Sequence, residues 1–264
     1  PKIFESEKFG AQAKEIFEDG QVLLQRIIEE KQFNPRAIFK FWPANATGDT
    51  VEIYEDISCS DILAQFHFLR QQREMMQESP HYSLADYVAP KEFGQPDYIG
   101  GFAVTMGFEV DQFAKTFQEE GDDYSSIIIK ALGDRMAEAL TELLHKKARD
   151  FCGFGKEESL SLKDLLKEKY RGIRPATGYP ACPDHTEKET LWNLLDVETR
   201  TGISLTESYA MNPPSSVSGL YICHPEARYF NVGLINKDQV EDYAGRKGIS
   251  VEAVEKWLQP NLGY

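Results

Sequence analysis

The chain has 264 residues, 41% of them hydrophobic, and a formal net charge of −14 at pH 7. This composition is typical of a globular protein with a sizeable core, and no stretch approaches the roughly 20 apolar residues of a membrane-spanning helix. The acidic balance argues against nucleic acid as a partner, because phosphate binding depends on clustered Lys and Arg. Four scattered cysteines without a C-x-x-C pair indicate free thiols in a reducing cytoplasm.

In the first half of the chain, one helical pattern precedes several strand patterns. Apolar residues at helical spacing predict an amphipathic helix over 9–31, which Asn34-Pro35 ends. Strands are predicted at 37–42, at 51–54 after a turn at 47–49, and at 62–68 and 97–106.

The second half is predicted to be mainly helical. Helices are expected over 108–118, from an Asp122 cap to about residue 149, and from a Ser161 cap through Glu168. Thr186 and Glu189 predict a capping box for a helix that ends near Gly202. A strand pair at 217–222 and 229–235 precedes helices over 239–246 and 250–258. Antiparallel strand clusters separated by helices predict an α+β fold, in a single domain over residues 1–264.

The common motifs of catalysis and nucleotide binding are absent from the sequence. There is no G-x-G-x-x-G after a strand, no G-x-x-x-x-G-K-[ST], no H-E-x-x-H and no G-x-S-x-G. The five histidines do not fall at metal-ligand spacing, so no metal site is predicted.

Residues 172–183, G-I-R-P-A-T-G-Y-P-A-C-P, form the densest local signal. Their prolines and glycines predict a stiff, extended loop with exposed backbone groups. Arg174 offers a planar fork for a carboxylate, Tyr179 an aromatic face, and Gly178 close access to the backbone. The loop would suit an amino-acid-bearing, partly aromatic ligand. The alternative is a rigid connection whose arginine pairs with a structural carboxylate.

Two weaker candidates lie outside this loop. Tyr229 and Phe230 are adjacent on a predicted strand and would point to opposite faces, so that one packs in the core and the other is free to stack on a base; plain core packing is the alternative. Asp134 and Glu138 share one helix face and could receive a cationic ligand, although Arg135 beside them makes surface pairing an equal alternative.

Residues 172–188, G-I-R-P-A-T-G-Y-P-A-C-P-D-H-T-E-K, closely resemble the S-adenosylmethionine-binding loop of the activation domains of cobalamin-dependent methionine synthases. The family pattern R-x-x-x-G-Y falls on Arg174, Gly178 and Tyr179. Further segments match in family order: L-R-Q-Q at 69–72, D-Y-I-G at 97–100, D-D-Y at 122–124, L-T-E-S at 205–208, V-S-G at 217–219, K-D-Q-V-E-D-Y-A at 237–244 and W-L-x-P-N-L-G-Y at 257–264. The resemblance therefore covers essentially the whole chain.

The resemblance implies a curved α+β domain, with a twisted antiparallel β-sheet flanked by helices. Such a domain binds S-adenosylmethionine and presents its methyl group to cob(II)alamin on a cobalamin-binding domain, while flavodoxin or an equivalent reductase supplies an electron. This step reactivates the cytoplasmic methyltransferase that makes methionine from homocysteine and methyltetrahydrofolate. The isolated domain is not expected to be catalytic.

The resemblance also assigns roles to individual residues. Contacts with S-adenosylmethionine are expected from Arg174, Pro175, Ala176, Gly178, Tyr179, Tyr229, Phe230 and Glu138, and docking or cobalamin-facing positions from Asp134 and His185. Family members carry a D-W-x-P-F segment, with a ligand-contacting aspartate, shortly before the point where this chain begins. The chain is therefore expected to be N-terminally truncated. It also lacks the D-x-H-x-x-G motif of a cobalamin-binding domain, so cobalamin is expected on the partner.

Two other functions compete with this interpretation. A free-standing methyltransferase with a small-molecule acceptor would be expected to carry a Gly-rich methyltransferase loop, which this sequence lacks. A non-enzymatic interaction domain that has lost its ligand would not need the intact R-x-x-x-G-Y pattern.

Overall fold

A five-stranded antiparallel sheet forms the centre of the protein, in a computed structural model that describes residues 2–72 and 80–264. The strands in chain order are β1 Arg36–Thr47, β2 Thr50–Tyr54, β3 Ile62–His67, β4 Asp97–Thr105, β5 Ser204–Leu205, β6 Met211–Asn212 and β7 Ser216–Ile222. The order in the main sheet is β3-β2-β1-β4-β7, and β5 pairs separately with β6. Strand β7 therefore lies at one edge of the sheet.

The helices of the described residues surround this sheet. They are α1 Gly10–Glu29, α2 Glu109–Glu119, α3 Asp123–Phe151, α4 Leu162–Leu165, α5 Glu187–Leu195, α6 Val197–Thr201, α7 Lys237–Lys247 and α8 Val251–Trp257, with short 3-10 turns at Lys2–Glu5, Leu84–Tyr87, Lys91–Phe93, Phe154–Glu157 and Gln259–Asn261. The antiparallel sheet with its flanking helices confirms the predicted α+β class. None of the helices within 2–72 and 80–264 has the length and apolar character needed to cross a membrane.

The sheet begins with the predicted hairpin. Thr47 lies opposite Thr50 across a two-residue turn, in which Gly48 has a φ of 58°. Strand β1 is longer than predicted because it pairs with β4 from Arg36 opposite Thr105 to Ala44 opposite Asp97. Strand β4 in turn pairs with β7.

Both faces of the sheet are covered. On one face, buried side chains such as Trp42 and Phe66 pack in one cluster with Leu191 and Trp192 of α5. On the other face, Phe102 and Tyr221 pack with Leu144 and Ala148 of α3. Since the faces are occupied, the sheet edge formed by β7 is where a loop can build a site.

Two further clusters complete the core. Leu23 and Ile27 of α1 pack with Phe113 of α2 and Ile129 of α3. The C-terminal helices α7 and α8 pack through Tyr243, Val254 and Leu258 against Leu69 and Val232.

Some helix boundaries differ from the prediction, for local reasons. The Ser161 capping box is present, but α4 ends at Leu165, ahead of Glu168, whose φ is +52°. The helix predicted to end near Gly202 is divided by Asp196, which adopts a left-handed conformation between α5 and α6. The predicted Thr186 capping box was wrong, because the Thr186 N–H donates to the Asp184 carboxylate at 2.8 Å and the Thr186 side chain caps nothing.

The predicted strand over 229–235 was also wrong. The free edge of β7 is occupied by the segment 173–175: Ile173 and Ile222 exchange backbone hydrogen bonds of 2.9 and 3.0 Å, and the Leu220 N–H donates to the Pro175 carbonyl at 2.9 Å. Residues 229–235 instead follow the loop, and the Val232 N–H donates to the Pro180 carbonyl at 2.9 Å.

Candidate functional site

The loop at the β7 edge and the Tyr229-Phe230 pair enclose a cavity of about 440 Å³. This volume lies within the range of small-molecule and cofactor sites, about 300–1,000 Å³. The cavity is lined by Arg174, Pro175, Ala176, Tyr179, Pro180, Ala181, Tyr229 and Phe230. Six of these are residues to which the sequence assigned ligand contacts, and they come from two segments about 50 residues apart along the chain.

Many backbone groups of the loop are hydrogen-bonded within the protein, and not exposed as predicted. The Pro175 carbonyl is bonded to β7, and the Gly178 N–H donates to the Cys182 carbonyl at 2.7 Å. The Cys182 N–H donates to the Tyr179 carbonyl at 2.9 Å, which closes a turn that begins at Tyr179, whose side chain is 66% exposed. The Ala176 carbonyl accepts from Tyr179, whereas the Ala176 N–H has no partner among the described residues.

Gly178 lies directly against the imidazole of His185. Its φ is +86°, a region that L side chains rarely adopt, and a Cβ atom placed there would lie 2.0 Å from Cε1 of His185. Burial, together with the charge of Lys188, lowers the pKa of His185. The neutral ring accepts from Nζ of Lys188 through Nδ1 at 3.0 Å.

Arg174 pairs with a structural carboxylate, which was the alternative considered for it. Its guanidinium donates to Glu142 of α3, to the Tyr170 hydroxyl at 2.7 Å and to Nδ1 of His145 at 3.1 Å. Burial opposes the charge of this side chain, which is 17% exposed, but the hydrogen bond to Glu142 raises the pKa of Arg174. Arg174 is therefore a fixed cation at the wall of the cavity.

His145 supports Arg174 as a neutral acceptor. Burial and the nearby guanidinium groups of Arg149 and Arg174 lower the pKa of His145 to about 2. The ring stacks on Tyr221, with centroids 5.0 Å apart. Sequence reasoning missed Glu142 and His145, although both continue the α3 face of Asp134 and Glu138 at helical spacing.

Tyr229 and Phe230 face the same cavity, and not opposite sides of a strand as predicted. The Tyr229 hydroxyl accepts a hydrogen bond from the backbone N–H of Arg174 at 3.0 Å. Phe230 is half-buried, with its ring centroid 6.0 Å from that of Tyr82. Because the chain does not form a strand here, successive side chains do not alternate between opposite faces, and both rings can line one cavity.

A second cavity, of about 470 Å³, adjoins the first and shares Ala176 and Tyr179 with it. Its other lining residues are Asp134, Arg135, Ala137, Glu138, Thr177, His185, Lys188, Met211, Pro214, Ser216, Val217 and Ser218. The Thr177 hydroxyl is buried and has no partner within the described part of the chain.

The acidic residues of this second cavity have protein partners. Glu138 is 61% exposed and forms an ion pair with Arg135 at 2.9 Å. This is the surface pairing considered above as the alternative to a cation-binding role. Asp134 accepts from the Ser215 hydroxyl at 2.8 Å. Glu142, and not Glu138, is the helix carboxylate that contacts Arg174.

The far end of the loop is anchored by a buried charged cluster. Nζ of Lys247 on α7 donates to Asp184 at 2.8 Å and to Glu187 at 2.6 Å. The Tyr243 hydroxyl donates to Asp184 at 2.8 Å. Burial raises the pKa of Glu187. At Asp184 burial acts in the same direction, but Lys247 together with the hydrogen bonds from Thr186 and Tyr243 outweighs it, and the pKa is lowered. The loop is thus fixed to α3 and β7 at one end and to α7 at the other.

Comparison with known proteins gives this geometry a context. A crystal structure described as the MetH reactivation domain bound to AdoHcy matches the chain with a TM-score of 0.96 and 51% sequence identity, covering 100% of this chain and 81% of that one. A sequence model of the family described as "Vitamin B12 dependent methionine synthase, activation domain" matches residues 1–248. The chain belongs to the family of activation domains of vitamin B12-dependent methionine synthases.

Proposed function

We propose that this activation domain binds S-adenosylmethionine in the cavity between residues 174–181 and the Tyr229-Phe230 pair. The observation that carries the proposal is the convergence of Arg174, Pro175, Ala176, Tyr179, Tyr229 and Phe230 on one cavity. The crystal structure of the similar MetH domain contains AdoHcy, the product that remains when S-adenosylmethionine loses its methyl group. The ligand of that similar domain therefore supports the proposal that this cavity binds S-adenosylmethionine.

The groups around the cavity match the parts of such a ligand. The faces of Tyr229 and Phe230 suit an adenine ring, because base–aromatic stacking contributes about 1–3 kcal/mol. Arg174 has five N–H donors, of which Glu142, Tyr170 and His145 engage three, so the rest can bind the ligand carboxylate. The Ala176 N–H offers a further donor.

We further propose that the second cavity is where the methyl group is presented. When bound, S-adenosylmethionine supplies a sulfonium methyl group, and the acceptor is the cobalt of cobalamin on the partner domain. Ala176 and Tyr179 form the boundary between the two cavities, so a methyl group held at that boundary would face the second one. The second cavity carries both acidic and basic side chains, Asp134 and Glu138 together with Arg135 and Lys188. No general base is required of this chain, because methyl transfer to cobalt removes no proton.

Partners follow from the same proposal. The cobalamin-binding domain would dock over the second cavity, against Asp134 and His185. Flavodoxin or an equivalent reductase would supply the electron that reactivation consumes. The cytoplasm is the compartment where these partners meet.

Calorimetric titration of the chain with S-adenosylmethionine tests the binding proposal. Tyr179→Ala removes an exposed cavity wall that makes no side-chain hydrogen bond within the described residues, so folding should persist while affinity falls by about 10-fold, equivalent to about 1.4 kcal/mol. Tyr98→Ala, at an exposed tyrosine outside both cavities, is the matched control and should bind normally. Equal affinity of the two variants would contradict the assigned cavity.

A second variant tests the support of Arg174. Glu142→Gln keeps an acceptor but removes the charge that fixes the guanidinium, and we expect an affinity loss of about 5-fold, about 1 kcal/mol. Glu119→Gln, which removes an exposed pair with Lys115 on α2, should leave affinity unchanged. Methyl presentation is tested separately, by adding the cobalamin domain and reductase; consumption of S-adenosylmethionine by the chain alone would favour the free-standing methyltransferase.

A further inference from the structure

Two cysteines that are 71 positions apart in the sequence meet beside the end of α3. Cys152 is the C-cap residue of α3, and Cys223 directly follows β7; their Sγ atoms lie 3.6 Å apart. Neither residue lines the two cavities described above. The proposed function therefore leaves this thiol pair without a role.

The two thiols differ in exposure and in acidity. Cys152 is exposed, whereas Cys223 is half-buried. The hydrogen bond between the two sulfur atoms lowers the pKa of Cys152, and the nearby Arg171 lowers it further. The same contact, with burial, raises the pKa of Cys223. An accessible thiol 3.6 Å from a second sulfur is the arrangement of a peroxide-sensitive cysteine and its resolving partner, and the lowered pKa of Cys152 favours its reaction.

The other cysteines lack this arrangement. Cys182 is buried within the core, and burial raises the pKa of its thiol. Cys59 is half-buried, and its thiol approaches Asn45 and the Ile57 carbonyl, not another sulfur. Oxidation should therefore be selective for Cys152.

We propose that Cys152 and Cys223 are a reversible oxidation site, which closes to a disulfide when the protein meets a hydroperoxide. The Cys152 thiolate attacks one peroxide oxygen and breaks the O–O bond, which gives a sulfenic acid and releases an alcohol, or water from hydrogen peroxide. The Cys223 sulfur then attacks the Cys152 sulfur, and the hydroxyl leaves as water with the Cys223 proton. Two thiols lose two electrons and two protons in total, and the hydroperoxide takes up both.

The position of the bond connects it to the loop. The new bond would join the end of α3 to the end of β7. Helix α3 carries Glu142 and His145, which hold the Arg174 side chain, and β7 carries Ile222, which pairs with Ile173. The disulfide would thus link the two elements that fix Arg174. Because neither cysteine lines a cavity, oxidation of the pair does not depend on the ligand assigned to the first cavity.

Peroxide titration of the intact, fully reduced chain tests this inference by mass spectrometry under non-reducing conditions. We expect the loss of the mass of two hydrogen atoms, a cross-linked peptide pair containing Cys152 and Cys223, and full reversal by dithiothreitol. Cys223→Ser should instead stop at a sulfenic acid on Cys152, which dimedone traps. Cys59→Ser, the control, should form the same cross-link as the unmodified chain.

Three outcomes would overturn the inference. They are oxygen addition at Cys152 without the cross-link in the unmodified chain, prior oxidation of Cys59 or Cys182, and a cross-link that survives in Cys152→Ser. Thermal unfolding gives a second measurement, since the bond closes a loop of about 70 residues and should raise Tm by several degrees. A fall in Tm on cross-linking would mean that the native geometry does not accommodate the bond.

Discussion

The two ends of the 172–188 loop are held by charged clusters that differ in their exposure to solvent. The Arg174 cluster, made of Arg174, Glu142, His145 and Tyr170, borders the cavity, and its carboxylate is 38% exposed. The Lys247 cluster, made of Lys247, Asp184, Glu187 and Tyr243, is enclosed, with its carboxylates only 5% and 1% exposed. Because breaking a buried ion pair leaves an uncompensated buried charge, the Lys247 cluster should contribute more to folding stability than the Arg174 cluster, which we propose positions a cation for a ligand.

The largest effect is expected where the Lys247 cluster is broken. Lys247→Met removes the cation that contacts both Asp184 and Glu187, and leaves two buried carboxylates without it. We expect the free energy of unfolding to fall by about 3–5 kcal/mol, measured by urea denaturation. Lys237→Met, at an exposed position of α7, should change it by less than about 0.5 kcal/mol. If Lys247→Met lowered the free energy of unfolding by less than about 1 kcal/mol, the Lys247 cluster would not be the one that governs folding stability.

A smaller effect is expected between the clusters, at Gly178. Gly178→Ala combines an unfavourable φ with a collision with His185, whereas Gly233→Ala has a similar φ, +74°, and no atom within 4 Å. We expect the φ alone to cost about 1–2 kcal/mol in both variants, and the collision about 1–3 kcal/mol more at Gly178. Adding His185→Ala to Gly178→Ala should recover the difference. Equal unfolding free energies for the two single variants would show that the ring gives way freely.

The smallest effect concerns pH, and it distinguishes one histidine near each cluster. Burial lowers the pKa of His145 from 6.5 to about 2 and that of His67, beside Tyr243, to about 4. Below about pH 6.5 these two histidines are protonated in the unfolded chain but stay neutral in the folded protein. The free energy of unfolding therefore falls as pH falls, by up to about 1.4 kcal/mol per pH unit for each histidine. The contribution of His67 should end near pH 4, whereas that of His145 persists below it.

Urea denaturation between about pH 6 and pH 5 measures this slope. His145→Gln and His67→Gln should each reduce this slope by about 1.4 kcal/mol per pH unit, which corresponds to about one proton, because each removes one group with a lowered pKa. Slopes unchanged from those of the unmodified chain would mean that these histidines are protonated in the folded state.

Local patterns in the sequence were sufficient for much of the fold. The hairpin at Gly48-Asp49, the Asp122 cap of α3 and the Ser161 cap of α4 depend on residues a few positions apart, and all three are present. The cavity loop could be located because proline and glycine restrict its backbone wherever it lies. Arg174, Gly178 and Tyr179 could be singled out by their chemistry, whereas Pro175 and Ala176 were assigned only through the family pattern.

Contacts between distant residues could not be predicted in the same way. Glu142 and His145 meet Arg174 across 32 and 29 positions, and the contact depends on how α3 packs against β7. The alternating pattern of 229–235 suits either a strand or an extended segment, and the choice is made by the 173–175 segment, which already occupies the β7 edge. Proximity of Cys152 to Cys223 has the same tertiary origin.

The pairing of residues 173–175 with β7 has a consequence for the thermodynamics of binding. These residues continue the hydrogen-bonded ladder of the sheet, so their backbone is ordered when the sheet forms. The conformational entropy of this part of the loop is lost on folding, and a ligand does not have to offset it again. A preorganised backbone of this kind leaves more of the contact energy available as affinity.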